Sequence, residues 1–191
     1  EQMHAGLLRP DSRDAPAMAE AQQVARELAG APELQPWEAP VALIFDYDAE
    51  WAWATQPHRA GLSYFSLVFD HYKALRRAGL SVDILPPSAR DFTGRNLVLA
   101  PGLMHLPEDL KQALAKSGAQ VLHGPRSGAR DGHFSIPDPL PPALPGLDVT
   151  VARVESLRPD MPVPLAGGGA VTGYLEELEG SADAVLQSEE G

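Results

Sequence analysis

Residues 41–45, VALIF, form a short apolar run without a single polar residue inside it. Such a run suits a strand buried on both faces, as in a parallel sheet. Helical and strand patterns then alternate along the chain. Phe65, Val68, Phe69, Tyr72 and Leu75 are spaced i, i+3, i+4, i+7 along one apolar stripe, with Ser63 placed to cap the helix and Gly79 to end it. LSVDIL (80–85) is then a second strand, NLVLA (96–100) a third, PEDLKQALAKSG (107–118) a helix, and AQVLHG (119–124) a fourth strand. Strand–helix–strand units with right-handed crossovers predict an α/β fold with an open, mainly parallel sheet flanked by helices, flavodoxin-like in broad class.

The flanks are patterned differently. Residues 14–31 predict a helix with Asp14 as N-cap, Pro16 in its first turn and Gly30 as its stop, and a linker runs on to residue 40. The 16-residue stretch 46–61 is too long for an ordinary strand-to-helix turn and reads as a loop carrying Trp51 and Trp53. After the fourth strand comes a 22-residue Pro-rich excursion, then DVTVARVESL, AVTGYLEEL and DAVLQSEE, which predict antiparallel, edge-like strands toward the C-terminus. The last of these reads as cut before its partner arrives. The opening EQMHAGLLRPDS has no charged or apolar leader and reads as the end of a unit that begins upstream.

Charge and composition remove several functions. With 26 acidic against 15 basic residues and a net charge of -11, the chain lacks the clustered cations of a nucleic-acid or anionic-membrane surface. No apolar run approaches the roughly 20 residues of a membrane helix. The chain has no Cys, which excludes disulfides, thiolate metal sites and a Cys nucleophile, and fits a cytoplasmic protein.

Ligands of open α/β sheets bind beyond the carboxyl ends of the strands. Those ends carry DYDAEWAW, PPSARD, PGLMHLPED and HGPRSGARDGH. GPRSG invites comparison with a nucleophile elbow, but Ser127 stands one residue late for G-x-S-x-G and no amphipathic helix succeeds it. A structural turn with Arg126 bonded to local carbonyls is expected there, and a hydrolase using Ser127 is the alternative. The six His are scattered singly, and Asp46, Asp48 and Glu50 lack the Gly turn and terminal Glu of a calcium loop, so no metal site is expected. Trp51 and Trp53 have two readings: packing beneath the loop of their own domain, or a protein interface.

The segments VALIFDYDAEWAWATQP, SYFSLVFDHYKALRRAGLSVDILPP, LVLAPGLMHL and HGPRSGARDGHFSIPDPLPP…VARVESL together resemble the second, trimerisation domain of family 42 glycoside hydrolases, the β-galactosidases. The resemblance implies a class I glutamine amidotransferase-like fold without the amidotransferase Cys. It implies a homotrimer formed through this domain, with no cofactor, and an upstream (β/α)8 barrel in the same chain. Residues 1–13 would be the barrel's exit, 14–40 a helix and linker, and 41–191 the trimerisation domain, truncated at its C-terminus. Both catalytic Glu would lie in the barrel, leaving no catalytic residue here, since retaining hydrolysis needs a carboxylate pair about 5–5.5 Å apart. Glu1 and His4 match the spacing of the family's Glu and His that hydrogen-bond galactose hydroxyls, a role that requires the intact parent. The 46–61 and 124–146 segments are the expected contact surfaces. A sugar-binding module is a further alternative.

Overall fold

A computed structural model of the chain describes residues 6–33, 37–184 and 186–189. The chain divides into two compact units, residues 1–37 and 38–191. The first holds α1 (Ala17–Ala29), which starts later than its sequence suggests. Asp14 is taken up in an antiparallel bridge with Leu8, and Pro16 occupies the N-cap position without a side-chain cap. Proline tolerates that place because it lacks the N–H that a helix start leaves unsatisfied. Gly30 ends the helix as expected.

The second unit runs β1 (Val41–Ile44), α2 (Tyr47–Thr55), α3 (Tyr64–Arg77), β2 (Val82–Leu85), β3 (Leu97–Ala100), α4 (Glu108–Lys116) and β4 (Gln120–His123). These four strands form one sheet in the order β2-β1-β3-β4, and every pairing is parallel. This is the flavodoxin-like order, with its switch point between β1 and β3. Central β1 is buried along its whole length, whereas edge strands β2 and β4 leave Ile84 and Leu122 exposed.

Two local departures from the sequence reading matter for function. The 46–61 segment is not a loop throughout: Asp46 accepts a hydrogen bond from the Asp48 N–H (3.0 Å) and caps the nine-residue α2. Its apolar residues fall all around the axis, so no helical stripe announced it. The second departure is in α3, where Ser63 caps the helix through the Ser66 N–H (3.1 Å) as expected. Its core face is Tyr64 and Val68, with Leu67 and Leu75 beside them, whereas Phe65 and Phe69 are exposed. The expected stripe holds at Val68, Tyr72 and Leu75, while Tyr64 takes the core place expected of Phe65 and Leu67 packs on the core in place of Phe69.

Beyond β4 the chain crosses a long irregular segment to β5 (Val149–Ser156), which pairs antiparallel with β8 (Tyr174–Gly180). Between them, β6 (Val163–Pro164) pairs antiparallel with β7 (Ala170–Val171). The expected single strand AVTGYLEEL is split at Gly173, whose φ of 102° breaks the extended backbone. DAVLQSEE forms no strand among its described residues; Ser188 makes an isolated bridge with Leu165.

The β3 exit is tightly packed. Gly102 has φ 68°, and a Cβ there would lie 2.8 Å from Trp53 Cζ2 and 3.1 Å from Leu67 Cδ2. Gly102→Ala combines a left-handed backbone penalty with overpacking, and is expected to destabilise the unit by about 2–3 kcal/mol. A urea midpoint lowered by that free energy divided by the slope, with the slope itself unchanged, checks it.

Candidate functional site

The chain leaves β4 through a sharp turn, Gly124-Pro125-Arg126-Ser127-Gly128. Arg126 is its vertex, with φ 65°, a conformation rare for a residue with a Cβ. Both glycines serve close packing. A Cβ on Gly124 would sit 2.9 Å from Gly102 N and Pro101 Cα, and one on Gly128 would sit 3.2 Å from the Pro142 carbonyl. The turn is tied to the β3 exit by Gly128 N–H to Leu103 O (2.9 Å) and Arg130 N–H to Met104 O (2.8 Å). The turn shares the left-handed vertex of a nucleophile elbow, with Arg in that place, but no helix follows it among the described residues. The signal was in the sequence as G-x-R-x-G, centred on the Arg rather than on the Ser.

Arg126 does not bond to local carbonyls as expected. Its guanidinium lies over the Trp53 indole, 4.6 Å from the ring centroid, and its Nη1 is buried with no hydrogen-bond partner. Desolvation lowers its pKa. Its backbone N–H donates to Glu176 Oε1 (2.7 Å), which also accepts from the Tyr174 hydroxyl (2.8 Å). Burial, then the Glu176 charge, raises the Tyr174 pKa, while burial and the Arg126 charge lower that of His58. Arg126, Arg130, His58, Tyr174 and Glu176 line a half-open cleft of about 450 Å³, walled by Ile136, Leu140 and Val151.

Ser127, in the same turn, is buried and donates to the Gly124 carbonyl (2.8 Å). Among the described residues no His or carboxylate hydrogen-bonds to it, so the arrangement needed to activate a hydroxyl is missing. Two of the three acids are used at helix starts: Asp46 caps α2, and Glu50 Oε2 accepts from the Phe65 N–H at the start of α3 (2.7 Å). No group of three or more His, Asp or Glu among the described residues could hold a metal ion.

His123, at the end of β4, is pushed down to about 4, chiefly by burial and then by the Lys111 charge. The unfolded chain binds this proton near pH 6.5 and the folded one only near 4, so stability falls as pH drops through that window. His123→Leu is expected to remove about 2–3 kcal/mol of that fall. Unfolding titrations of both chains between those pH limits give the difference directly.

Trp51 and Trp53 separate completely. Trp53 is 3% exposed, contacts Tyr64 and donates from Nε1 to the Gly102 carbonyl (2.8 Å), closing the switch point between β1 and β3. It belongs to its own domain's core. Trp51 is 65% exposed. Exposed with it are Tyr47, Phe65 and Phe69; Phe65 and Phe69 stack with centroids 5.9 Å apart, and Phe45 joins Tyr47 (5.0 Å) and Phe65 (6.3 Å) edge-on. Glu1 and His4 lie outside the described residues.

The family described as the β-galactosidase trimerisation domain matches residues 39–185. The chain belongs to that family. It is 46% identical over 165 residues to a β-galactosidase of Thermus thermophilus, covering 84% of this chain and 25% of that protein. A β-galactosidase of Halorubrum lacusprofundi is 36% identical over 186 residues, covering 93% of this chain and 26% of the relative. The crystal structure of β-galactosidase from the psychrophilic Marinomonas ef1 superposes with a TM-score of 0.76 at 33% identity, over 100% of this chain and 31% of that one. This trimerisation domain thus spans about a quarter of the length of the relatives it matches. Its parallel sheet with antiparallel strands near the C-terminus is the architecture expected from the sequence. No helix among the described residues is long and apolar enough to cross a membrane.

Proposed function

We propose that this chain is the non-catalytic assembly domain of a longer cytoplasmic β-galactosidase, joining three subunits and helping to wall their active sites. The family match over 39–185, within relatives about four times as long, carries the reading. Residues 1–13 are then the exit of a (β/α)8 barrel, 14–40 a helix and linker, and 41–191 the trimerisation domain. The barrel supplies the two catalytic Glu and hydrolyses terminal β-galactosides with retention. Glu1 and His4 contribute a carboxylate acceptor and an imidazole donor to galactose hydroxyls in that intact enzyme. The α2–α3 aromatic face, with Tyr47 and Trp51 its most exposed residues, supplies the subunit contact. The 124–146 segment, which exposes Phe134, Ile136 and Leu140, is the second contact surface, toward a neighbouring subunit or the barrel.

The enzymatic half is tested by assaying the 191-residue chain with 2-nitrophenyl β-galactoside and titrating it with galactose. No turnover and no saturable binding are expected. Turnover that disappears in Ser127→Ala would establish a hydrolase instead, and galactose binding would establish a sugar module.

A further inference from the structure

We infer that the cleft beside the β4 elbow binds a carboxylate, with the Arg126 guanidinium as the principal group that holds it. Arg126 is 4% exposed and lines the cleft, yet its buried Nη1 has no hydrogen-bond partner. The cation–π contact with Trp53 holds the guanidinium in place but gives Nη1 no acceptor. An unpartnered buried donor carries its full desolvation cost, and a guanidinium edge is shaped to be satisfied by a carboxylate through paired N–H donors.

The charges around it support an anion. Three Arg and one Glu line the cleft, in a chain whose net charge is -11. Glu176 spends Oε1 on the Arg126 backbone N–H and the Tyr174 hydroxyl, and forms no ion pair with either neighbouring guanidinium. Arg130 is held by neutral acceptors, Gln56 Oε1 and the Ala129 carbonyl, both at 2.8 Å. Arg153 is paired with Glu155 and Glu177. His58 bonds to Ser156 Oγ (2.7 Å) and is shifted toward its neutral form. Arg126 and Arg130 therefore bring two positive charges to the cleft without a carboxylate partner among the described residues. Ile136, Leu140, Val151 and Val154 supply apolar walls, so the fitting ligand is a carboxylate on an apolar stem. The strained vertex fits this reading, because such backbone persists where surrounding packing enforces it for a purpose.

The probe is 4-methylpentanoate, compared with its neutral isostere 4-methylpentanamide, titrated into the native chain by calorimetry with Trp fluorescence as a second readout. Saturable one-to-one binding of the acid is expected, with the amide weaker by about 30-fold or more, the loss typical of removing one member of a desolvated charge pair. Arg126→Met is expected to abolish the discrimination, and Arg130→Gln, which leaves the elbow residue in place, to weaken the acid about tenfold. Equal binding of acid and amide, no binding of either, or undiminished acid binding by a folded Arg126→Met chain overturns the assignment. Should Arg126→Met not fold, the acid–amide comparison on the native chain decides. Light scattering at saturating probe separates the natural sources: a fall in mass identifies a carboxylate from a neighbouring subunit, and an unchanged mass a small carboxylic acid.

Discussion

Replacing Trp53 by Ala destabilises the second unit by about 3–5 kcal/mol, the range for deleting a buried large aromatic side chain. Three connected losses place it there. The indole is almost fully buried against Tyr64 between α2 and the β3 exit. Its Nε1–H satisfies the Gly102 carbonyl, which is left without that donor in the variant. The Arg126 guanidinium also loses the ring on which it stacks. Trp53→Phe keeps most of the ring volume and loses the N–H, so a loss of about 1–2 kcal/mol is expected for it. Denaturant unfolding of both variants against the native chain measures the two steps. A loss below about 1 kcal/mol in Trp53→Ala would mean that the indole is not the plug of the switch point.

Trp51→Ala behaves in the opposite way. It is expected to leave the stability of the single subunit within about 0.5 kcal/mol, as for a solvent-exposed position. It is expected to weaken subunit association by about 2–4 kcal/mol, the scale of an interface hot spot. The physical basis is four exposed aromatic residues of α2 and α3, Tyr47, Trp51, Phe65 and Phe69, of which Phe65 and Phe69 stack on each other while Tyr47 and Phe65 both meet Phe45 edge-on. Large exposed apolar side chains gathered on neighbouring helices are the kind of surface the proposed contact would use. Sedimentation equilibrium of native and variant chains gives the association loss, and their unfolding midpoints give the stability. A variant that associates like the native chain would remove Trp51 from the contact.

The contrast between these two residues shows where sequence reasoning reached its limit. The parallel sheet was legible because VALIF and LVLA are apolar without alternation, and Ser63 with Gly79 marked the ends of α3. Helix α2 was not legible, since its apolar residues surround the axis and its cap, Asp46, stands in an acid-rich stretch that reads equally as loop. Without the helix, Trp51 and Trp53 look like one pair sharing one fate. In a helix, two positions are about 200° of rotation, so one indole turns into the core and the other outward. The stripe of α3 was legible at Val68, Tyr72 and Leu75 but not in its first turn: Tyr64 outcompetes Phe65 for the core because its hydroxyl accepts from the Asp46 N–H (3.0 Å), linking the β1 exit to α3. Arg126 was overlooked because G-x-R-x-G centres on a residue that is no nucleophile, and the packing of Gly124 and Gly128 against distant backbone that goes with its left-handed φ is visible only in the fold.

The most direct measurement is the solution mass of the 191-residue chain and of its Trp51→Glu variant, by size-exclusion chromatography with light scattering over a dilution series. For the native chain the expected mass is three times the 20.4 kDa subunit at high concentration, falling on dilution. For Trp51→Glu, which buries an unpaired carboxylate in the proposed contact, the expected mass is 20.4 kDa throughout. A native chain of 20.4 kDa at every concentration, or a variant that keeps the native mass, would contradict assembly through the α2–α3 face.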